Sequence, residues 1–238
     1  MNCVILQPSY LPWRGVFDLI HRADVFVFYD DVQYDKHGWR NRNRFKTSAG
    51  TKWLTIPVHA AGNVDTGLPI HEVRTGGGWA RKHLATIQQS YRKAPCYAEV
   101  APLVEELLTD PPELLAELTI ASTMRLAEAL GITGTRFVRS SQLGIPGTRM
   151  DRLLAILQHL GATHYISGPS ARSYIDAAAF EQAKIGLEYI VYDYPEYEQL
   201  HPPYDPQVSV LDLMFMKGRD AGAFIWGANM GANVGDRP

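Results

Sequence analysis

The opening of the chain, in which a short helical segment separates two apolar runs, limits its possible folds more than any other feature. Residues 3–6 form the first run, which Gln7 and Pro8 end, and the second run, DVFVFYDD, begins at Asp24. Between the runs, apolar residues at positions 16, 17, 19 and 20 fall on one face of a helix. A short helix between two apolar strands indicates a parallel pair joined by a right-handed connection.

The same alternation of strand and helix returns after a helical centre. We predict three helices over residues 79–93, 98–108 and 113–130, and then strands over 136–140, 163–168 and 187–194 that alternate with helices over 151–160 and around 180–183. A further strand over 51–58 precedes a glycine-rich loop over 59–78, and a last helix over 209–217 begins at Ser209. The pattern predicts an α/β fold with a mainly parallel sheet flanked by helices and a helical insertion around 79–131. We expect one domain over residues 1–226 and a disordered tail over 227–238.

Composition and charge exclude several classes of function. The chain has 238 residues and a formal net charge of −2, so it lacks the basic footprint of a nucleic-acid-binding protein. Its apolar runs fall well short of the roughly 18 residues that a membrane span requires. Cys3 and Cys96 stand in no metal or redox spacing. We therefore expect a cytoplasmic protein with reduced thiols and without nucleic acid, membrane insertion or a metal site, and the sequence gives no indication of its oligomeric state.

Polar and aromatic residues follow the predicted strands where a simple connection would suffice. After the first two strands come, in chain order, Gln7, Tyr10, Trp13, Asp30, Asp31 and Gln33. Ligands of open parallel sheets bind outside the carboxyl ends of the strands. We therefore predict that the segment QPSYLPW, made rigid by its two prolines, forms a wall of a pocket close to Asp30 or Asp31.

The adjacent carboxylates Asp30 and Asp31 are the first candidates for acid–base chemistry. Neighbouring residues on a strand point to opposite faces, so only one of the two can point into a given pocket. We expect that one acts as a general base or binds an ammonium group, while the other fixes the loop. In the alternative interpretation, one aspartate caps a turn and the other is solvated.

The densest polar run consists of Trp39, Arg40, Asn41, Arg42 and Asn43. In an extended segment its arginines share one face. Arginine presents a planar fork to phosphate or carboxylate, and tryptophan presents a stacking surface, so the run predicts a site for a nucleotide, a sugar phosphate or a phosphopantetheine arm. RNA is less well supported, because nothing else in the chain is basic enough. Alternatively, the run is an exposed edge strand whose charge discourages pairing with other chains.

Two further segments carry candidates for anion binding. Lys82 and His83 lie in the first turn of a predicted helix, just after GGG, where a bound anion would offset the conflict between cations and the helix dipole. In the alternative interpretation these side chains extend into water. His83 is the histidine that we select for acid–base chemistry. Ser167 and Gly168 lead from a strand into a helix, whose backbone amides can hold a phosphate or carboxylate.

Several segments resemble the WbqC-like family, above all the long opening run QPSYLPWRGVFDLIHRADVFVFYDDVQYDKHGWRNRNRFK. The later segments that are similar, in the same order, are RKHLATIQQSYRKAPCY, ATHYISGPSARSYI, YPEYEQL and SVLDLMFMKG, so the resemblance covers residues 1 to about 218. It implies a bacterial protein encoded in gene clusters for O-antigen, other surface polysaccharides or natural products. It also adds Tyr91, Tyr174 and Asp212 to the candidate site residues.

The leading hypothesis is a group-transfer enzyme that forms an amide. An acyl or aminoacyl group would pass from a thioester, of coenzyme A or of a carrier protein's phosphopantetheine, to the amine of an amino sugar or a carrier-linked intermediate. Asp30, Asp31 or His83 would take the amine proton, and no cofactor would be tightly bound. The substrate-binding residues would be Gln7, Tyr10, Trp13, Gln33, Trp39, Arg40, Asn41, Arg42, Asn43, Lys82, Tyr91, Ser167, Gly168, Tyr174 and Asp212.

Two alternatives belong to other classes of protein. A nucleotidyl-transfer or adenylate-forming enzyme would fit the opening strand–helix–strand unit, although residues 13–16 read WRGV where that class carries a His-x-x-His signature. A non-catalytic binding or scaffold protein of a biosynthetic cluster would leave three sets of polar strand ends without a role.

Overall fold

The computed structural model describes residues 1–59 and 67–227. Its strands are β1 (Asn2–Leu6), β2 (Val25–Phe28), β3 (Arg42–Thr47), β4 (Gly50–Thr55), β5 (Val58–His59), β6 (Arg74–Thr75), β7 (Arg136–Arg139), β8 (His164–Ser167) and β9 (Gly186–Tyr189). The α-helices are α1 (Arg14–Arg22), α2 (Trp79–Tyr91), α3 (Tyr97–Thr109), α4 (Leu115–Ala129), α5 (Arg149–Leu160), α6 (Ala177–Gln182) and α7 (Val210–Lys217). Shorter 3-10 turns cover Ile70–Glu72, Ser140–Gln142, Pro169–Ser173 and Gly218–Phe224.

Five strands form one parallel sheet in the order β7-β2-β1-β8-β9. The helices α2, α3 and α4 form a helical insertion between β6 and β7. The predicted α/β fold, with a mainly parallel sheet and a helical insertion, is therefore confirmed. One domain over residues 1–226 stays a prediction, and residues 228–238 of the predicted tail lie outside the described residues.

The alternation of side chains along β1 and β2 divides the core into two layers. Val4, Phe26 and Phe28 pack on one face of the sheet with α1, α7 and the helical insertion. Cys3 and Val27 belong to the opposite face, which packs against α5 and α6. Since both faces are covered, these strands are apolar throughout, and each large apolar side chain that they bury contributes about 1.5–3 kcal/mol.

A separate hairpin is the main departure of the fold from the prediction. Strand β3 begins in the arginine run and pairs antiparallel with β4 in a two-stranded sheet, with Arg42 opposite Thr55. The strand predicted over 51–58 therefore ends at Thr55, where its partner begins. Nor is the glycine-rich segment a loop throughout, because β5 pairs with β6 and Ile70–Glu72 forms a 3-10 turn. Residues 60–66 of that segment lie outside the described residues.

The last parallel strand is shorter than predicted. β9 ends at Tyr189, whereas the apolar pattern extends to residue 194. Its partner β8 ends at Ser167, opposite Tyr189, and the nitrogen of Ile190 makes one more hydrogen bond to the oxygen of Ser167. Beyond that point the chain has no strand to pair with, so it leaves the sheet.

Candidate ligand-binding cleft

The order of the parallel strands reverses between β1 and β8. From β1 the chain passes to β2 and then β7 on one side, whereas β8 and β9 lie on the other side. Such a reversal leaves a crevice at the carboxyl ends of the two strands, and open α/β sheets bind ligands there. Two adjoining cavities occupy this place, both lined by Leu6 at the end of β1 and by Ser170 in the turn after β8. We name them together the switch-point cleft.

The two cavities differ in size and in lining. The smaller, of about 340 Å³, is lined by the aromatic side chains of Trp13, Trp39 and Tyr192. The larger, of about 970 Å³, brings together polar groups that include Arg149 and Asp151. Both volumes are typical of sites for small molecules.

The connection between β1 and α1, residues 7–13, is held firmly against the cleft by the β3–β4 hairpin. Nδ2 of Asn43, on β3, donates hydrogen bonds to the backbone oxygens of Tyr10 and Leu11, at 3.0 and 2.6 Å. Leu11 has a φ of 39°, which a non-glycine residue adopts only where its surroundings enforce it. Of the residues predicted on this segment, Gln7 and Trp13 line the cleft, whereas Tyr10 is fully buried.

Arg40 lies where the two cavities meet, since it lines both of them. Its Nη1 donates to the backbone oxygens of Gln7 and Pro8, at 2.9 and 3.3 Å, and to Oγ of Ser9, at 3.0 Å. Its Nε is buried and has no hydrogen-bond partner. Nη1 of the guanidinium therefore holds the β1–α1 connection, whereas Nη2 makes no hydrogen bond among the described residues.

Arg40 forms no salt bridge within the described residues, although the carboxylate of Asp35 acts on its charge. Arg139 and Arg152, by contrast, each pair with an aspartate, at 2.8 and 2.5 Å. Burial lowers the pKa of the Arg40 guanidinium to about 10, and Asp35 and Tyr34 oppose this effect. The group is therefore still charged at neutral pH, in a place where its charge is poorly solvated.

The first turn of α5 brings Arg149 and Asp151 into the larger cavity. Among the ion pairs of the described residues, neither side chain takes part. Arg149 has a φ of 50°, a conformation that costs a non-glycine residue about 1 kcal/mol or more. Gln7 and Tyr174, which the sequence predicts, line the same cavity, and Tyr174 is 67% exposed. The cavity thus presents a cation and a carboxylate without internal partners.

Asp30 is fully buried, and both of its carboxylate oxygens are occupied. Oδ1 accepts a hydrogen bond from the nitrogen of Ser141 at 3.0 Å and lies 3.2 Å from Oγ of Ser140. Oδ2 accepts from Nε of Arg139 and Oγ of Ser141, at 2.8 and 2.9 Å. This carboxylate fixes the end of β2 to the end of β7 and does not face the cleft. These contacts favour a structural role for Asp30, and the catalytic role stays a prediction.

Asp31 is also engaged within the protein. Its Oδ1 accepts a hydrogen bond from Oγ of Ser140 at 2.6 Å, and its Oδ2 accepts from Nη2 of Arg152 at 2.5 Å. Burial raises the pKa of Asp31, but the hydrogen bonds from Arg152 and Ser140 outweigh it and hold the pKa below its ordinary value. A carboxylate stabilised in this way is a weak base, and it lines neither cavity of the cleft.

His83 packs in the core and not at the cleft. It is 6% exposed, its Nδ1 lies 3.0 Å from the hydroxyl of Tyr10, and its ring contacts that of Trp79 edge-on. Burial lowers the pKa of His83 to about 4, although a hydrogen bond to the Thr55 backbone opposes the shift. The ring is therefore neutral at pH 7 and joins α2 to the β1–α1 connection, which replaces the acid–base role that the sequence suggested.

The members of the arginine run have separate roles. Arg42 donates to the backbone oxygen of Gly38 at 3.2 Å and places its Cζ 4.7 Å from the ring centroid of Trp53. Nδ2 of Asn41 donates to the oxygen of Ile56 at 2.7 Å. These contacts hold the hairpin in place. The members of the run that line the cleft are Trp39, Arg40 and Asn43.

Tyr91 and Asp212 form part of the core. Oδ2 of Asp212 accepts a hydrogen bond from the hydroxyl of Tyr91 and Oδ1 accepts one from Tyr197, both at 2.8 Å. Burial raises the pKa of Asp212 although these hydrogen bonds oppose it. The pair joins α2 to α7, and neither residue lines the cleft.

The other predicted site residues fall into two groups. Ser167 and Gly168 end β8 and lead into the turn that carries Ser170, so they support the edge of the cleft. That turn is a short 3-10 segment and not the helix that the sequence suggested. Gln33 and Lys82 are exposed and line neither cavity.

Several residues of the cleft were missed from the sequence, among them Arg149, Asp151 and Tyr192. Arg149 and Asp151 follow β7, and the rule that directs attention to the carboxyl ends of strands would have found them if it had been applied to that strand. Tyr192 lies beyond β9 in an irregular segment. Nothing local indicates that its ring returns to Trp13, with 4.8 Å between the ring centroids.

Two kinds of feature are absent from residues 1–59 and 67–227. No group of three or more His, Cys, Asp or Glu side chains is placed to hold a metal ion. None of the helices there has both the length and the apolar composition that crossing a membrane demands.

Comparisons with known proteins show a match to one protein family and a similarity to one relative. Residues 7–223 match the model of the WbqC-like protein family, and this range includes Arg40, Arg149 and Asp151. The uncharacterized protein Rv1507c of Mycobacterium tuberculosis (strain ATCC 25618 / H37Rv) is 39% identical over 220 residues, which are 91% of this chain and 94% of that relative. No solved structure shows a significant match.

Proposed function

Since the chain belongs to the WbqC-like protein family, we propose that it is a bacterial group-transfer enzyme that binds a phosphate-bearing donor in the switch-point cleft. Its reaction would take place in the cytoplasm and serve the synthesis of a surface glycan or a natural product. One observation above all supports this function: Arg40 lies between the two cavities and forms no salt bridge among the described residues.

The position of Arg40 favours an anionic ligand on energetic grounds. A partly buried cation that forms no salt bridge is poorly solvated, and an anion at the same place offsets much of that cost through charge-assisted hydrogen bonds. The planar fork of arginine matches phosphate oxygens in geometry. Arg149 supplies a second cation in the larger cavity, so a donor with more than one negative charge can contact both.

The transfer that best fits the larger cavity is amide formation. The nitrogen of an acceptor amine would bond to the carbonyl carbon of a thioester, and the bond from that carbon to sulfur would break. The proton lost by the amine would pass to the carboxylate of Asp151 and from there to the departing thiolate, of coenzyme A or of a phosphopantetheine arm. Asp151 takes this role in place of Asp30, Asp31 and His83, because it lies in the cavity and has no ion-pair partner among the described residues.

A second candidate function is nucleotidyl transfer or adenylate formation. The strand order favours it: numbered along the chain, the five parallel strands run 3-2-1-4-5 across the sheet, as in folds that bind nucleotides at the switch point. The two candidates share the phosphate-bearing donor and differ in the bond that is made.

A thermal-shift panel tests the shared part of the two functions. We would measure the melting temperature of the wild-type protein with coenzyme A, with acetyl-coenzyme A, and with ATP or CTP plus magnesium. The same measurements would be made on the Arg40→Lys variant. A ligand at about 100 times its dissociation constant adds roughly 2.7 kcal/mol of stability. Lysine cannot copy the fork of arginine, so we expect Arg40→Lys to weaken binding by about 10- to 100-fold.

Arg125→Lys provides the matched control, because Arg125 lies on α4 and outside the cleft. A response to the coenzyme A compounds alone favours acyl transfer, and a response to ATP or CTP alone favours the second candidate. If no member of the panel stabilises the protein, or if Arg40→Lys binds as the wild type does, the proposed function is wrong and a non-catalytic role gains support.

A further inference from the structure

We propose that the smaller cavity of the switch-point cleft binds a nucleobase, so that the phosphate-bearing donor is a nucleotide or contains one. This inference rests on the proposed function and narrows its donor. The inference favours coenzyme A or a nucleoside triphosphate as the donor, because both carry a base. It disfavours a phosphopantetheine arm on a carrier protein, which carries none.

The walls of the smaller cavity are aromatic on several sides. Trp13 and Tyr192 meet with their ring planes at 71° and form a corner. Trp39 lines the same cavity, is 38% exposed and packs against Trp53, with 4.9 Å between their ring centroids. A flat ring that enters such a corner stacks on one wall and meets the other edge-on, which are the two arrangements that aromatic groups prefer.

Because Gly15 has no side chain, there is room beside it for the indole of Trp13. A β-carbon at position 15 would come within 2.4 Å of Cζ2 and 2.7 Å of Cε2 of that indole. Alanine at position 15 would therefore push the indole away from its place. The backbone at Gly15 needs no positive φ, so the space above it is what this glycine provides.

The polar groups of the smaller cavity favour a base over a sugar. Ser9, Asn43 and Gln207 line it, but Ser9 and Asn43 are bonded to Arg40 and to the β1–α1 connection, and Gln207 lies 3.5 Å from Arg44. A sugar ring needs several free partners for its hydroxyl groups, whereas a base binds largely through its faces.

The position of the charged side chain of this cavity indicates where the phosphate of the same ligand binds. Among the described residues that line the smaller cavity, Arg40 alone is charged, and it stands at the junction with the larger cavity. A nucleotide whose base enters the aromatic corner would therefore bring its phosphate to Arg40 and direct the rest of the molecule towards Asp151.

The experiment compares ligands that differ only in the base. We would measure the dissociation constants of AMP and ribose 5-phosphate by calorimetry, with glucose 1-phosphate as a sugar phosphate of another shape. We expect AMP to bind at least about tenfold more tightly than ribose 5-phosphate. Trp13→Leu and Gly15→Ala should reduce this ratio about tenfold and leave the affinity for ribose 5-phosphate unchanged.

The matched control is Trp226→Leu, because Trp226 lines neither cavity. If Trp13→Leu fails to fold, Trp39→Leu takes its place, since that side chain is partly exposed. Equal affinities for AMP and ribose 5-phosphate, or tighter binding of glucose 1-phosphate, would overturn the nucleobase site and leave the proposed function standing. If none of the three phosphates binds, the nucleobase site is overturned, and the thermal-shift panel with coenzyme A, acetyl-coenzyme A, ATP and CTP decides the proposed function separately.

Discussion

The carboxylate of Asp30 and the guanidinium of Arg139 form an enclosed ion pair, with 2.8 Å between Oδ2 and Nε. The two residues stand at the carboxyl ends of neighbouring strands, β2 and β7, and two serines complete the hydrogen bonding of the aspartate. The pair therefore ties β2 to β7 at the carboxyl-end edge of the sheet, which is the edge where the cleft lies.

Asp30→Asn should destabilise the protein by about 1.5–3 kcal/mol, because the neutral amide loses the charge-assisted hydrogen bond to Arg139, which keeps Glu117 as its remaining carboxylate partner. Urea unfolding measures the change. Asp110→Asn, on an exposed residue after α3, is the control and should change stability by less than about 0.5 kcal/mol. A stable Asp30→Asn variant with lost activity would instead restore the catalytic interpretation of Asp30.

The stability of the fold should fall in mildly acidic solution because of His83. Burial lowers the pKa of this histidine from 6.5 to about 4, so the folded state binds the proton less well than the unfolded state does. The contribution of His83 is fully present above pH 6.5 and is lost as the pH falls towards 4. We would measure the unfolding midpoints of the wild type and of His83→Gln at pH 7, 6, 5 and 4. The difference between the two proteins should shrink as the pH falls. Parallel curves over this range would show that His83 does not titrate as described.

Asp151→Asn should reduce amide formation by about 10²- to 10⁴-fold, the usual contribution of a general base. The fold should lose less than about 1 kcal/mol, since the carboxylate interacts with little more than the helix dipole of α5. Release of coenzyme A thiol from an acyl donor in the presence of glucosamine measures the rate. Asp176→Asn is a control, because Asp176 caps α6, away from the cleft. Undiminished thiol release from Asp151→Asn would remove this residue from the mechanism.

Arg149→Gly should separate stability from ligand binding. Glycine relaxes the positive φ at this position, so we expect stability to rise by up to about 1 kcal/mol. Loss of the cation should weaken binding of a nucleoside triphosphate about tenfold or more. Lys184 also has a positive φ but lies outside the cleft, so Lys184→Gly is the control. This variant should be more stable than the wild type and bind the nucleoside triphosphate with unchanged affinity. Equal affinity in wild type and Arg149→Gly would exclude Arg149 from the anion site.

Local patterns in the sequence predict the parallel sheet, the helical insertion and the pocket wall formed by QPSYLPW. These features depend on short-range periodicity and on the rule that parallel strands end at one edge, so no knowledge of distant contacts is needed. The order of the strands depends on pairings between distant segments, such as Asn2 with His164, and local patterns do not contain them.

The placement of Asp30 and His83 away from the cleft could not be predicted, for a different reason. A carboxylate at a strand end looks the same in sequence whether it faces a cavity or accepts hydrogen bonds from a later segment. Arg139 and the serines that occupy Asp30 follow it by about 110 residues. His83 is likewise matched by Tyr10, which lies 73 residues earlier. Charge and position therefore indicate where a site is, while tertiary contacts decide which residues remain free to act.

The helical insertion also has a consequence for how the protein folds. Val25 on β2 pairs with Arg136 on β7, so two neighbouring strands are separated by about 110 residues of chain. Closing so long a loop is slow unless the intervening residues first gather by local contacts, and the successive helices α2–α4 can do so. We expect these helices to form early and to carry β7 to the edge of the sheet. The contacts of Asp30 with Arg139 and Ser140, and with them the edge of the cleft, would then be among the last to appear.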